Sequence, residues 1–274
     1  MKIDVFGASG FIGSNFVTES RFDTLSIPRD STFSSSEQIL YLIGTTDNYN
    51  VFEDPLLDIE TNLILLIKVL EDFRENNSTA TFNFISSWFV YGKGTPPFLE
   101  SDNCKPRGFY SITKFSAELL LESFCKTFNL NYRIIRLANV YGEGDKGMSR
   151  KKNALQYMIR QLKNNEKVEL YENGDIVRDF IHASDVTKAF DLIISRGDVN
   201  EIYNVGSGNP VKISELITSA SSIIGSKSVI SNIETPEFHQ LVQTKDAWLD
   251  IDKIKNLGFT PQADIRIDLE SLCL

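Results

Sequence analysis

The sequence predicts an α/β protein: a doubly wound parallel sheet of Rossmann type, with a smaller C-terminal region appended to it. Three observations lead there. Short apolar runs alternate with helical periodicity from residue 3 onward, the pattern of strands covered by helices on both faces. A glycine-rich turn follows the first run directly and opens the first helical segment. The chain has 274 residues, 42% hydrophobic and 24% charged, an ordinary globular composition long enough for one large domain and an appendage.

Taken in order, residues 3–6 read as a buried strand and residues 11–17 as the helix after the glycine turn. Residues 24–27 form a second short strand, and residues 39–43 a third apolar run that ends at Gly44. Residues 56–73 have helical periodicity, 81–85 read as a strand, 110–128 as a long helix and 132–137 as another strand. After Gly142 the texture changes, and residues 144–152 are polar, charged and glycine-containing. We therefore divide the chain into a dinucleotide-binding region, 1–142, and a region 143–274 that is partly interleaved with it. The second region carries helices at 155–162, 184–194 and 213–224 and short apolar runs at 180–182 and 202–205.

Bulk composition excludes several classes. A net charge of −9 leaves no excess of Lys and Arg to displace counterions from a duplex, so nucleic acid is not expected as a partner. Cys104, Cys125 and Cys273 are odd in number and widely spaced, which suits a reducing compartment rather than a disulfide framework or a zinc site. With His182 and His239 as the two histidines, no metal site is expected. Residues 1–6 lack the long apolar region of a signal peptide, and the most apolar helical run, 63–70, is short and broken by Lys68. The expectation is a cytoplasmic protein with no membrane partner.

Gly7-Ala8-Ser9-Gly10-Phe11-Ile12-Gly13 has the physical requirements of a dinucleotide turn: a tight bend, a close backbone approach to a pyrophosphate, and close helix–strand packing. The helix start supplies amide donors and partial positive charge. Gly7, Ser9, Gly10, Phe11, Ile12 and Gly13 are the candidate contacts, with Gly44 at the end of the third run. The choice of cofactor turns on Ser26-Ile27-Pro28-Arg29-Asp30. Arg29 would pair with the 2′-phosphate of NADP, and Asp30 would accept from the ribose of NAD; the balance leans toward NADP, the alternative being solvated turn charges. About ten residues separate Asp30 from the third run, too few for a helical crossover, so the adenine side is expected to be open or rebuilt.

Tyr110-Ser111-Ile112-Thr113-Lys114 places a phenol and an ammonium at i and i+4 on one helix face. A nearby ammonium lowers a phenol's pKa and makes it a usable proton shuttle beside a hydroxyl or ketone. Lys114 would also bond the nicotinamide ribose.

With Phe84-Ile85-Ser86-Ser87-Trp88-Phe89-Val90-Tyr91-Gly92 upstream, the set resembles the extended short-chain dehydrogenase/reductases, in particular the nucleotide-sugar-modifying NAD-dependent epimerase/dehydratase family. The likeness continues through Arg136-Leu137-Ala138-Asn139-Val140-Tyr141-Gly142, Arg178-Asp179-Phe180-Ile181-His182 and Tyr203-Asn204-Val205-Gly206. It implies that Ser87, Tyr110 and Lys114 are catalytic. Ser87 would hold the substrate oxygen, with Ser86 and Trp88 beside it. Asn62 would be a positioning residue. Asn139, Asn153 and Arg178 would bind the nucleotide sugar, Arg178 at the diphosphate unless it forms a structural ion pair with Asp179 or Asp185. His182 is a packed structural histidine. The family's Arg near the C-terminus is missing from Gln243-Thr244-Lys245-Asp246, where Lys245 or Gln243 would compensate. Leu119, Leu120 and Phe124 lie opposite the Tyr/Lys pair, as core or as a homodimer face.

The family's 4,6-dehydratases need an Asp-Glu pair after the Ser or Thr, where this chain has Trp88 and Phe89. The implied activity is therefore hydride exchange at a sugar carbon, C4, of a nucleoside-diphosphate sugar, by an epimerase or by an NADPH-dependent 4-ketoreductase. A non-catalytic, redox-sensing dinucleotide-binding protein is the alternative of another class.

Overall fold

The computed structural model describes residues 1–145, 147, 149 and 151–274. Its elements run β1 (Lys2–Phe6), α1 (Phe11–Glu19), β2 (Asp23–Ile27), β3 (Gln38–Tyr41), α2 (Asn50–Glu53), α3 (Pro55–Ile59), α4 (Leu65–Asn76), β4 (Thr81–Ser87), α5 (Phe109–Phe128), β5 (Asn131–Leu137) and β6 (Asn139–Tyr141). There follow α6 (Ala154–Lys163), β7 (Val168–Tyr171), β8 (Val177–Arg178), β9 (Phe180–His182), α7 (Ala183–Arg196), β10 (Glu201–Val205), β11 (Val211–Lys212), α8 (Ile213–Ile224), β12 (Ile230–Ile233), α9 (Glu237–Val242), α10 (Asp252–Asn256) and α11 (Ile265–Cys273).

Six strands form one parallel sheet in the order β10-β5-β4-β3-β1-β2. They are the six apolar runs that the sequence marks as strands. Residues of odd and even parity go to opposite faces. Ile3, Val5, Leu40, Ile85 and Ile135 pack on one side with Phe16 of α1 and Phe190 of α7. Phe6, Ile39, Tyr41, Phe82 and Phe84 pack on the other with Leu66 and Phe73 of α4 and Leu121 of α5. Six of the seven residues of β4 are buried, the polar Thr81, Asn83 and Ser86 among them, and Asn83 is satisfied there by donating to the Ile39 carbonyl at 3.0 Å.

The second region returns to the first. β10 pairs with β5 from Glu201–Arg133 to Val205–Leu137, and α7 packs beside α1. A third core, around Leu155, Leu162, Leu216 and Leu269, unites α6, α8 and α11. The three two-stranded pairs β6–β9, β8–β11 and β7–β12 complete this region.

Two departures bear on the site. The helix expected over 56–73 is broken: α3 runs into a π-helical turn, Glu60–Ile64, before α4 begins. A π turn admits one extra residue per turn, and here Asn62 sits within it, buried and held by three side-chain hydrogen bonds. The link from β2 to β3 has no helix, as its length predicts. It is a strap whose end is tied to the sheet by the buried Asp4 carboxylate, which accepts from Ser35 N (2.6 Å), Ser36 N (2.9 Å) and Ser36 Oγ (2.6 Å). The strap leaves Leu25 of β2 53% exposed on the face that a crossover helix would cover. No helix among the described residues is long and apolar enough to cross a membrane.

Candidate active site

A cavity of about 590 Å³ opens at the C-terminal ends of β1, β3, β4 and β5, where open parallel sheets bind ligands. Gly7, Gly10, Phe11, Ile12 and Gly13 line one end, with Gly44 beside them. Ser86, Ser87, Trp88, Tyr110 and Lys114 form the middle, and Asn139, Asn153 and Arg178 the side toward the second region. Ser9, Arg29 and Asp30 are outside the lining; all three are exposed, Arg29 and Asp30 in the turn after β2.

The glycine turn is constrained from inside. Gly7 has φ +83°, a conformation glycine adopts without penalty. A Cβ on Gly13 would lie 2.3 Å from the Gly7 carbonyl oxygen, so α1 meets β1 as closely as the expected turn requires. The start of α1 has neither a side-chain cap nor an acidic residue in its first turn. Its amide donors and partial positive charge therefore face the cavity uncompensated by side chains, a setting for a pyrophosphate.

The phenol and the amine are both desolvated. Lys114 Nζ donates to the Ile85 carbonyl at 2.7 Å and lies 4.3 Å from the Phe84 ring centroid. Burial lowers its pKa to about 8, against a smaller upward pull from Glu118. Burial pushes the Tyr110 phenol up to about 12; the neighbouring Ser87 hydroxyl pulls it down, while Asp58 and Asp47 add to the rise. Burial is thus the largest influence on the phenol, where the spacing alone suggests a pull from the ammonium. Ser87 caps the short turn Trp88–Val90, its Oγ accepting from Phe89 N at 3.3 Å. Ser86 Oγ is buried with no hydrogen-bond partner among the described residues. An orphaned hydroxyl bordering the cavity, beside a glycine cradle and a buried amine, fits a dinucleotide together with a polyhydroxylated ligand.

Asn62 is held by three direct hydrogen bonds. Its Oδ1 accepts from Thr45 N at 2.9 Å, and its Nδ2 donates to Thr45 Oγ1 at 2.8 Å and Thr113 Oγ1 at 3.0 Å. It thus ties the loop after β3 to α5, one residue before Lys114.

On the other side, Asn139 accepts from Trp88 Nε1 at 3.3 Å and donates to the Asp179 carbonyl at 3.0 Å, so its amide also fixes the wall it belongs to. Asn153, at φ +51°, bonds Asp145 and Gln156. Arg178 forms no ion pair with Asp179 or Asp185. It donates to the carbonyls of Val177 (2.9 Å), Thr244 (2.8 Å) and Lys245, and stacks over Trp88 at 5.1 Å, while burial lowers its pKa to about 10. Lys245 is turned away to Glu172 at 2.9 Å, whereas Gln243 borders the cavity. His182 caps α7, accepting from Ser184 N at 3.2 Å, and packs edge-on to Tyr141. Leu119 and Leu120 are 51% and 38% exposed, so they are surface rather than core.

Sequence reasoning missed several residues of the site and its support. Behind the wall, Asp179 is a buried carboxyl raised by desolvation, and it holds the turn after β10 through Ser207 N and Oγ. Tyr49, Lys151, Tyr171 and His239 line the cavity, and Tyr49 Oη lies 3.2 Å from His239 Nδ1 across 190 residues of sequence. No local pattern could have signalled that pairing.

The model of a family described as NAD dependent epimerase/dehydratase matches residues 23–206. The chain is 28% identical over 310 residues to the low-salt glycan biosynthesis protein Agl12 of Haloferax volcanii, covering 99% of this chain and 97% of that one. Among solved structures, UDP-glucose 4-epimerase of Thermotoga maritima with UDP-glucose superposes with a TM-score of 0.86 at 23% identity, covering 100% of this chain and 97% of that one. The RMD protein of Pseudomonas aeruginosa complexed with NADPH superposes with a TM-score of 0.85 at 23% identity, covering 99% and 97%.

Proposed function

The chain belongs to the NAD dependent epimerase/dehydratase family, and from that premise we propose that it exchanges hydride at a sugar carbon, C4, of a nucleoside-diphosphate sugar, as an epimerase. The observation that carries this reading is the meeting of Ser87, Tyr110 and Lys114 on the wall of one cavity with the glycine turn. The similar structures with UDP-glucose and with NADPH support a nucleotide sugar and a nicotinamide dinucleotide as its ligands.

The residues divide the work. A bound nicotinamide dinucleotide supplies or accepts the hydride and, when oxidised, brings positive charge to the site. Tyr110 moves the proton at the sugar oxygen. With its pKa near 12 it is a proton donor at neutral pH, and it becomes a base only with a cation beside it. Ser87 holds the same oxygen, and Lys114, kept dry, orients the ribose. The glycine turn and the start of α1 hold the pyrophosphate. Asn139, Asn153 and Arg178 face the sugar nucleotide, with residues 143–274 as the main substrate-binding region.

A 4,6-elimination is disfavoured on the site's own chemistry. Trp88 and Phe89 stack at 4.0 Å and Phe89 meets Tyr110 edge-on at 5.8 Å, so hydrocarbon stands where an acid and a base are needed. One observation favours a second reading, a 4-ketoreductase: the strap leaves the β2 edge open, which suits a cofactor exchanged at each turnover, with Arg29 leaning toward NADP. The exposed Ile64 of the π turn, Ile67 of α4, and Ile112 and Leu119 of α5 suit a homodimer through these elements, and three free thiols suit the cytoplasm.

The test is to identify the dinucleotide released on denaturation or bound on addition, and to assay Tyr110→Phe. The expected result is dinucleotide binding in both proteins and a loss of turnover of roughly 10²–10⁴ in the variant. Full turnover in Tyr110→Phe, or a wild-type protein that binds neither NAD(H) nor NADP(H), would overturn the reading; binding without any turnover would leave the redox-sensing alternative.

A further inference from the structure

We infer that Asp47 and Asp58 are positioning residues for the redox state of the dinucleotide: their carboxylates, set beside Tyr110, hold the oxidised, cationic nicotinamide in preference to the reduced one. The inference rests on the nicotinamide-dependent reading above. Both residues lie outside the sequence motifs, Asp47 in the loop after β3 and Asp58 in α3.

The loop is pinned on either side of Asp47. Before it, Thr45 is tied to Asn62, and the Thr45 hydroxyl donates to Asp58 Oδ1. Asn50 Nδ2 donates to the same oxygen at 3.1 Å. After it, Asn48 Oδ1 accepts at 3.4 Å from the amide of Ser111, the residue that follows Tyr110. Asn48 sits so close to the start of α5 that a Cβ on Gly108 would lie 2.1 Å from its Oδ1. Asp47 itself borders the cavity, as Tyr110 does, and its Oδ1 accepts from Tyr49 N at 2.7 Å. The acidic segment is thus clamped to the turn that carries the phenol.

Asp58 is fully buried, and while its Oδ1 takes both hydrogen bonds, its Oδ2 has no partner among the described residues. A buried carboxylate is ordinarily balanced by a cation. Three cations that border the cavity are turned to other partners: Lys114 to the Ile85 carbonyl, Lys151 to Glu53 at 3.2 Å and Lys152 toward Asp145 at 3.9 Å. Tyr110 feels both carboxylates, each of which makes its phenolate harder to form. A field that penalises a negative charge at this place favours a positive one by the same law. The nicotinamide ring is cationic when oxidised and neutral when reduced, whereas the riboses and pyrophosphate are alike in both forms, so the ratio of the two affinities reports the field at the ring. The Lys114 ammonium opposes that field, one positive charge against two negative. The oxidised ring in turn offsets the hold of the carboxylates on the Tyr110 proton, so the phenol becomes a base in the state in which hydride is to be taken from the sugar.

The inference is tested by calorimetric titration of the full-length protein with NAD+, NADH, NADP+ and NADPH. Within whichever pair binds, the affinity of the oxidised form relative to the reduced one is expected to fall about tenfold in Asp58→Asn, the effect of one unit charge across a site of effective dielectric about 20. It should fall about threefold in Asp47→Asn, where solvent screens the charge. Thr45→Val, which takes a hydrogen bond from Asp58 but no charge from the site, should weaken both forms alike. Aspartate variants that weaken both forms equally or leave the ratio unchanged, or a shift of the ratio in Thr45→Val as large as in Asp58→Asn, would make the carboxylates purely structural. Either would overturn the inference and leave the nucleotide-sugar reading standing. Asp47→Asn keeps an acceptor for the Tyr49 amide and decides the matter if Asp58→Asn does not fold. Failure of the wild type to bind any of the four dinucleotides would bring down the reading beneath the inference, and the inference with it.

Discussion

The two ends of the cavity floor are built differently. Beneath Ser86 and Ser87, β4 is covered on both faces and flanked by β3 and β5. Lys114, 4% exposed, and Asn62, 2% exposed, are locked against it by direct hydrogen bonds. At the other end β2 is an edge strand with no buried residue, crossed by a strap instead of a helix, and Arg29 and Asp30 stand in solvent beyond it. The contrast teaches that the chemistry is placed in a dry, over-determined wall, whereas holding the adenosine end is left to a few exposed groups.

The difference can be pressed from its strong side first. Lys114 titrates near 8 in the fold against 10.5 for a free lysine, so between those values the unfolded chain binds more protons. Its burial penalty is fully present below pH 8 and is relieved as pH rises to 10.5, which amounts to roughly 3 kcal/mol. In urea titrations at several pH values, the wild type should gain about that much on Lys114→Met across the window. Parallel curves would mean that the wall is wetter than its geometry implies. At the weak end the firmest point is Asp4. Asp4→Ala leaves the Ser35 and Ser36 amides without their acceptor and should cost about 2–3 kcal/mol by the same measurement. A loss under about 0.5 kcal/mol would make the strap even looser than described. The smallest effect is expected at Arg29. An exposed charge pair is worth about 0–1 kcal/mol, so Arg29→Ala should weaken NADPH binding by less than about fivefold; a hundredfold loss would show that the turn closes on the adenosine end and would erase the contrast.

Much of this was legible because it is local. The six strands are apolar runs bounded by turns, the glycine turn is contiguous, and Tyr110 and Lys114 share a helix face by spacing alone. The short strands β7, β8, β11 and β12 have two to four residues each and leave no periodicity to read. Arg178 illustrates a second limit: its partners are backbone carbonyls of residues 244 and 245, and carbonyls have no signature in a sequence. The pKa order of Tyr110 and Lys114 shows a third. Spacing reveals that two charges can meet, but burial, set by the whole fold, decides which influence dominates.

The position of β10 has a consequence for how the molecule comes into being. The sheet's outer strand beside β5 is supplied by residues 201–205, some sixty residues after β5 itself. A chain emerging from the ribosome therefore carries β5, with Tyr132 and Ile134, as an unpaired edge until about three-quarters of it has been made. A fragment ending at Gly142 would keep that edge permanently, and its natural fate is association with another edge rather than independent life as a small dinucleotide-binding unit.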